Sequence, residues 1–316
     1  MTDLERLTAP WQEPALSGTI AQGDMPGDKI CITEEHIQKA RTIYPVLREL
    51  VARQLGESAC GRAVITVCGG SGVGKSEIAS LISYYLNAEG VGGVYPVGGT
   101  TTPAATRNRM TPSVAVGCFD RTGWDWKCGT WLAKASTPDS AALRELWPED
   151  GDAAPANVSR YPWLAVYQQA GRNALRGYLG TEKEIDFDQV GHIVSDFKQG
   201  APTLYLKRMG RTPTELWYDA VDMTGKSVLV IEWTHGNSDW YEGVDIPVLL
   251  NSTPAETLAH RQARNRDGRA DSPFTTMVLE LEQQMLKAQA HKAKLILSKA
   301  GEIMTYEQYT RLMAQA

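Results

Sequence analysis

The sequence lacks any apolar run near the roughly 20 residues that a membrane-spanning helix needs. It contains no Cys-x-x-Cys pair to suggest a zinc site, and its five cysteines are an odd number. It has little net charge, −5 in 316 residues, so no nucleic-acid partner is expected. Its 42% hydrophobic and 22% charged residues are typical of a folded globular chain. We therefore expect a reduced cytoplasmic protein with neither a membrane nor a nucleic-acid partner.

Phenylalanine is also scarce, with four residues against nine tryptophans. Three of the tryptophans, Trp124, Trp126 and Trp131, lie in segment 98–131, which contains no Leu, Ile or Glu. About seven such residues are expected in a segment of this length at ordinary usage. The segment has neither helical nor strand periodicity, and a loop this long is uncommon inside a compact domain.

Apolar periodicity predicts alternating helices and strands elsewhere in the chain, which favours a parallel α/β sheet. Helices are predicted over 33–56, 76–90, 163–179, 186–199, 254–266 and 275–292. Strands are predicted over 62–68, 203–207, 227–233, 244–251 and 293–299. Residues 1–30 are rich in Gly, Pro and Asp and are predicted to be a loose extension. We expect residues 1–60 to form an N-terminal extension with one long helix, and 61–316 to form the main domain.

A glycine-rich loop follows the strand over 62–68 and matches the Walker A pattern G-x-x-x-x-G-K-[ST]. The predicted nucleotide-binding residues are Gly69, Gly70, Ser71, Gly72, Val73, Gly74, Lys75 and Ser76. The glycines let the backbone curl around a phosphate chain, and the helix that follows adds its positive end. Lys75 is expected to contact the β- and γ-phosphates, and the Ser76 hydroxyl to coordinate Mg²⁺.

Glu232 ends the apolar strand over 227–233. Ligands of open α/β sheets bind outside the carboxyl ends of the strands, where an acid can hold Mg²⁺ or its water. Glu232 is therefore a candidate catalytic and metal residue, and a solvated strand-end glutamate is the alternative. Thr234, His235 and Asn237 are expected to line the same rim, with His235 a weaker candidate for a general base.

Arginines cluster in the segment HRQARNRDGR, at positions 261, 264, 266 and 269. A basic lid that closes on phosphates is one interpretation, because arginine stabilises charge on a transferring phosphoryl group. A solvated basic helix face is the other. A GTPase is not expected, since Asp222-x-x-Gly225 precedes its strand and no Asn-Lys-x-Asp motif exists.

The pattern resembles the phosphoribulokinase/uridine kinase family of P-loop kinases. The segments that carry the resemblance are VCGGSGVGKS at 67–76, IDFDQVGHIVSDFKQG at 185–200, SVLVIEW at 227–233 and IPVLLNSTPAETLAHRQARNRDGR at 246–269. The resemblance implies a P-loop NTPase three-layer fold whose five-stranded parallel sheet is flanked by helices. It also implies Mg²⁺- and ATP-dependent phosphorylation of a small-molecule hydroxyl. By match to the family motifs, Arg264 and Arg266 would be catalytic lid residues and Arg269 would bind the nucleotide.

Three departures from the family are visible. Trp233 stands where the family has Gly, and residues 1–60 have no family counterpart. The family also places a substrate-facing Asp after its second strand, predicted here near Gly93–Val97, but the next acid is Asp120. The missing acid therefore falls in segment 98–131, which we extend to 98–137 and call the aberrant segment.

We hypothesise that segment 98–137 is translated out of frame. With GC-rich codons, a shifted frame of 98–109 can be read as GDNYPRRNPQP, which supplies the missing acid, and 134–138 as EGEYTP. A genuine loop is the alternative, and the underlying DNA sequence distinguishes the two.

The sequence thus predicts an ATP-dependent kinase whose acceptor is a nucleoside, a sugar or a related metabolite. An adenylylsulfate kinase-type enzyme and a non-catalytic NTP-binding regulatory module are the alternatives. The missing acid favours the regulatory module for the chain as written. The acceptor cannot be identified from the sequence, and a homo-oligomer is left open.

Overall fold

The structure is a computed structural model that describes residues 2–16, 20, 31–97, 140–209, 216–264 and 271–315. The aberrant segment 98–137 lies outside these ranges, so the structure does not bear on the frameshift hypothesis. The chain divides into two compact units. The first comprises Met1–Pro103, Phe187–Glu256 and Leu286–Ala316, and the second comprises Ala104–Asp186 and Thr257–Met285.

A six-stranded sheet forms the centre of the first unit. The strands in chain order are β1 Ala63–Gly69, β2 Gly93–Val97, β3 Thr203–Met209, β4 Leu216–Asp222, β5 Val228–Glu232, β6 Ile246–Leu250, β7 Leu295–Leu297 and β8 Ile303–Met304. The spatial order is β2-β5-β1-β6-β7-β8, and β3 pairs with β4 in a separate hairpin. The first five strands of the sheet are parallel and β8 is antiparallel, so the predicted five-stranded parallel sheet is confirmed, with one edge strand added.

The helices are divided between the two units. They are α1 Asp3–Thr8, α2 Glu34–Glu57, α3 Lys75–Ala88, α4 Ser140–Leu146, α5 Leu164–Arg176, α6 Phe187–Lys198, α7 Leu258–Arg264, α8 Pro273–Gln289 and α9 Tyr306–Gln315. No helix within the described ranges is long and apolar enough to cross a membrane.

The two faces of the sheet bury alternate residues of the same strands, as the period of two along a strand requires. Val248 and Leu250 of β6 belong to the hydrophobic cluster formed with α2 and α3. Leu249 belongs to the opposite cluster, which contains Tyr309 and Met313 of α9. A sheet covered on both faces gives the three-layer α/β fold that the sequence predicts.

The long N-terminal helix α2 belongs to the core of the first unit. Its apolar positions at three- and four-residue spacing, among them Ala40, Ile43 and Leu47, are fully buried in one cluster with β1 and α3. Thr33 caps the helix, and Pro45 lies inside it. The proposed domain boundary at residue 60 stays a prediction, although α2 and β1 share this core.

Five helices and strands were not predicted from the sequence, one of them α4 at Ser140–Leu146. Helix α1 is six residues long and is held by a capping box between Thr2 and Glu5, inside the region predicted to be a loose extension. Strand β4 exposes Trp217 and Tyr218 and has no buried apolar face strong enough to be recognised. Strand β8 has two residues, and α9 buries only Tyr309 and Met313 in the core cluster.

The second unit contains α4, α5, α7 and the first part of α8. Its core is formed by Leu143, Leu164, Tyr167, Met277 and Leu281. The Tyr167 hydroxyl donates to Asp152 at 3.0 Å, and Arg172 of α5 pairs with Glu280 of α8 at 2.8 Å. The helices predicted over 163–179 and 275–292 are present, whereas the one predicted from residue 254 begins at Leu258.

Candidate functional site

The phosphate-binding loop lies between β1 and α3, at the carboxyl edge of the sheet. Strand β1 is buried along its whole length, and its last residue, Gly69, passes the neighbouring strand β6 so closely that a Cβ would lie 2.5 Å from the Leu250 carbonyl oxygen. Gly74 has φ +93°, a left-handed conformation that favours glycine, and caps α3. The two glycines therefore permit the turn that brings Lys75 and Ser76 into the first turn of α3.

Lys75, Ser76 and Glu232 converge beside this loop. The Ser76 hydroxyl donates to Glu232 Oε2 at 3.1 Å, and Lys75 Nζ lies 3.9 Å from Glu232 Oε1. Lys75 Nζ also donates to the Gly70 carbonyl oxygen at 3.0 Å. Glu232 is only 7% exposed, so a carboxylate and an ammonium group lie together largely buried, where electrostatic interactions are strong.

The sheet register explains this convergence. Strands β1 and β5 are parallel neighbours, with Val67 opposite Glu232, and the Trp233 amide donates to the Val67 carbonyl oxygen at 3.1 Å. Because both strands end at one edge, the loop after β1 and the carboxylate that ends β5 lie together. The alternative of a solvated strand-end glutamate does not fit a carboxylate buried against Ser76 and Lys75.

The donor set at this point suits Mg²⁺. A hydroxyl and a carboxylate are hard oxygen ligands, and Mg²⁺ is commonly held by one or two carboxylates together with substrate phosphates and water. The described residues contain no cluster of three or more His, Cys, Asp or Glu that could hold a metal by itself. Ser76 and Glu232 would therefore hold the ion together with the nucleotide.

His235 lies three residues beyond Glu232, in the rim that the sequence predicts. Burial, and after it the positive charge of Lys75, lowers the pKa of His235 to about 4. Its ring packs edge-on against Trp233, with 5.3 Å between the ring centroids. Such a ring is neutral near pH 7 but is a weak base, because efficient proton transfer needs a pKa close to the working pH. A pKa this low does not favour His235 as the general base.

Replacing His235 with asparagine is expected to remove a loss of folding stability that the native protein shows as the pH falls below about 6.5. The folded pKa, about 4, is below the ordinary value of 6.5, so the unfolded chain binds more protons between these values. Stability is therefore lost as pH falls from about 6.5 towards 4, by up to about 3 kcal/mol. Urea unfolding at several pH values measures this loss. The variant should lack it, the exposed-residue control His192→Asn should retain it, and equal profiles for all three would contradict the assignment.

Asn237 is a site residue whose side chain is buried behind the same rim. Its Oδ1 accepts a hydrogen bond from the Thr66 hydroxyl of β1 at 3.2 Å, while its Nδ2 is buried with no hydrogen-bond partner among the residues that the structure describes. Lys292 donates to the carbonyl oxygens of Asn237 and Ser238 at 3.2 and 3.0 Å, which fixes the backbone after β5. Asn237 thus helps to hold the rim segment against the sheet.

An aromatic cluster extends the rim, and sequence analysis did not identify it. Phe187 at the start of α6 stacks on Trp240 and Tyr241, with 6.1 Å between centroids in each pair, and also contacts Trp233. Trp240 is half exposed, whereas the Tyr241 hydroxyl is buried and donates to the Gly236 carbonyl oxygen at 2.7 Å. The tryptophan excess in the sequence is the only signal that could have pointed to this cluster.

The predicted lid arginines belong to the second unit. Arg261 is buried in α7 and its guanidinium donates to the Thr257 hydroxyl one turn earlier, and Arg264 ends the helix. Arg266 and Arg269 lie outside the described residues. The role of these arginines as a lid therefore stays a prediction.

Comparison with known proteins finds a relative that is similar over part of the chain. No model of a known protein family matches the chain. Over 145 residues the chain is 48% identical to the bifunctional alpha-galactosidase/sucrose kinase AgaSK of Mediterraneibacter gnavus, a match that covers 46% of this chain and 15% of that protein. The match thus spans less than half of this chain and a small part of that protein's length.

Two solved structures resemble the chain with much lower sequence identity. One is a proposed fructose transport system kinase from Silicibacter sp. TM1040, which has 15% identity and a TM-score of 0.42 over 80% of this chain and 95% of its own. The other is a proposed uridine kinase from Bacillus stearothermophilus, with 12% identity and a TM-score of 0.40 over 79% and 98%. At these values neither structure bears on activity. The sucrose kinase relative supports the resemblance to P-loop kinases that the motifs indicate.

Proposed function

We propose that the chain transfers the γ-phosphoryl group of ATP to a hydroxyl group of a small molecule, and that this acceptor is a sugar. The observation that carries the proposal is the convergence of Lys75, Ser76 and Glu232 at the end of a parallel sheet. The sugar is suggested by the name of the AgaSK relative, which includes a sucrose kinase. Sucrose is therefore the first acceptor to test.

The proposed reaction forms a bond between the acceptor oxygen and the γ-phosphorus. The bond from that phosphorus to the bridging oxygen breaks, ADP leaves with the electron pair, and the proton of the acceptor hydroxyl is released to solvent. The transition state is loose, so the protein contributes mainly position and charge stabilisation. Lys75 would stabilise negative charge on the phosphoryl oxygens, and the loop amides would hold the phosphate chain. Mg²⁺, held by Ser76 and Glu232, would neutralise phosphate charge.

The two alternatives from the sequence are less well supported. The name of the AgaSK relative includes a sucrose kinase, which favours a sugar over adenylylsulfate as the acceptor. A non-catalytic nucleotide-binding module rests on the missing acid after β2, and that position lies outside the described residues. The pairing of Glu232 with both Lys75 and Ser76 supports turnover, because it brings a carboxylate suited to Mg²⁺ beside the phosphate-binding loop.

ADP release in the presence of a panel of acceptors tests the proposal. The panel comprises sucrose, fructose, glucose, uridine and adenylylsulfate, each with Mg²⁺ and ATP, against a reaction without acceptor. We expect ADP release that depends on sucrose or another sugar. Release only with uridine or adenylylsulfate, or none beyond the acceptor-free rate, would contradict a sugar kinase.

The same assay should be run on a second protein in which the reading frame of segment 98–137 is restored. If that segment is frameshifted, the restored protein should be the more active of the two, because it regains an acid after β2. Equal activity would count against the frameshift hypothesis, and it would leave the sugar kinase proposal unaffected.

A further inference from the structure

The N-terminal helix α2 reaches the phosphate-binding loop through His36. The imidazole ring lies directly over Gly74, where a Cβ atom would be 2.9 Å from both His36 Cδ2 and His36 Nε2. That distance is shorter than real Cβ contacts, so the ring occupies the space that any other residue at position 74 would need. His36 is only 8% exposed, which shows that the ring is enclosed between α2 and the loop.

The orientation of this ring is fixed from its other side. His36 is the third residue of α2, and its Nδ1 accepts a hydrogen bond from the Thr33 backbone amide at 3.2 Å, with the Thr33 hydroxyl at 3.0 Å. A nitrogen that accepts from an amide carries no proton, so in the neutral ring the proton is on Nε2. The edge formed by Cδ2 and Nε2 is the edge that faces Gly74.

Helix α2 is anchored so that this contact is held firmly. Near the loop, Glu35 of α2 accepts from Lys39 at 2.6 Å and from Lys299, after β7, at 3.0 Å. Farther along α2, Arg48 pairs with Glu89 at the carboxyl end of α3 at 2.5 Å, with both side chains largely buried. These contacts fix α2 to the loop after β7 and to the far end of α3, so the backbone of His36 is held beside Gly74.

We infer that His36 is a positioning residue for the phosphate-binding loop. The inference rests on the proposed function only in that the loop binds a nucleotide. By filling the space over Gly74, the ring holds that residue in its left-handed conformation and holds the first turn of α3, which carries Lys75 and Ser76, in place. The N-terminal helix is thus a functional part of the nucleotide site.

The substitution His36→Gln removes the imidazole ring but keeps a side chain that can cap α2. Glutamine is a usual residue at the third position of a capping box, so it can still accept from the Thr33 amide while the ring edge over Gly74 is lost. The expected result is nucleotide binding weakened on the order of ten-fold, the size typical of an effect transmitted through an intervening element. In turnover, KM for ATP should rise, and kcat should fall as well because the same turn of α3 carries Lys75.

A second variant controls for damage to the helix. Leu55→Ala removes a buried side chain near the end of α2, away from the loop, and is expected to lower stability. It should leave nucleotide affinity unchanged. Equilibrium titration of each full-length protein with MgATP, without any acceptor, gives the dissociation constants directly, and thermal unfolding gives the stabilities.

The outcomes distinguish this inference from the proposed function. Weaker MgATP binding in His36→Gln alone supports the positioning role, whether or not a sugar is phosphorylated. Native affinity in His36→Gln, equal weakening in His36→Gln and Leu55→Ala, or no MgATP binding by the native chain would overturn it. Failure of every acceptor in the panel, with the native chain binding MgATP, would count against the sugar kinase proposal only.

Discussion

Replacing Lys75 with alanine is expected to reduce acceptor-dependent turnover by about 10²–10³-fold, as loss of a single charge-stabilising donor does in other active sites. Lys75 is the ammonium group that the structure places beside Glu232, with its side chain only 11% exposed. The loss should be in kcat more than in KM, because the charge on the phosphoryl group grows towards the transition state. Steady-state kinetics with saturating acceptor measure it.

Two controls accompany this prediction. Lys294→Ala removes an exposed lysine elsewhere in the first unit and should leave turnover unchanged. Lys75→Arg keeps the positive charge but not the compact ammonium group, so it should recover little of the lost activity. Unchanged turnover in Lys75→Ala would refute the assignment of a Walker A kinase.

Substituting Glu232 with glutamine is expected to lower turnover by about 10–100-fold, the usual cost of altering a group that holds a metal or orients its ligands. Glutamine keeps the shape and one oxygen acceptor but removes the negative charge that faces Lys75 and accepts from Ser76. The Mg²⁺ concentration that gives half-maximal activity should therefore rise. A magnesium titration of activity at fixed ATP measures both effects.

The matched control for Glu232 is Glu242→Gln, which changes an exposed glutamate in the loop that follows β5. It should show native turnover and a native magnesium requirement. If Glu232→Gln behaved in the same way, Glu232 would have no part in holding the metal, and its contact with Ser76 would be structural only.

The parts of this molecule that are encoded locally could be predicted from the sequence. Strand β1 and the loop that follows it are defined by an apolar run and by glycines at fixed spacing, and both lie where expected. Glu232 required one further rule, that parallel strands end at a common edge, and the register of Val67 with Glu232 satisfies it. The fold and the centre of the candidate site therefore follow from short patterns combined with sheet geometry.

Contacts between distant segments could not be predicted in this way. His36 and Gly74 belong to different elements, and no local pattern links a histidine in the first turn of α2 to a glycine in the loop. The low pKa of His235 depends on burial and on Lys75, neither of which is visible in the sequence around it. The aromatic contacts of Phe187 with Trp240 and Tyr241 likewise depend on how α6 packs on the segment after β5.

The fate of the γ-phosphoryl group tests the central claim most directly. The native chain and its frame-restored version would each be incubated with sucrose, Mg²⁺ and ATP labelled on the γ-phosphate, and the products separated. The proposed function predicts label in a phosphorylated sugar, with one labelled sugar formed for each ADP, and loss of this product in Lys75→Ala. Label that appeared only as inorganic phosphate, or that remained in ATP with both proteins, would contradict it.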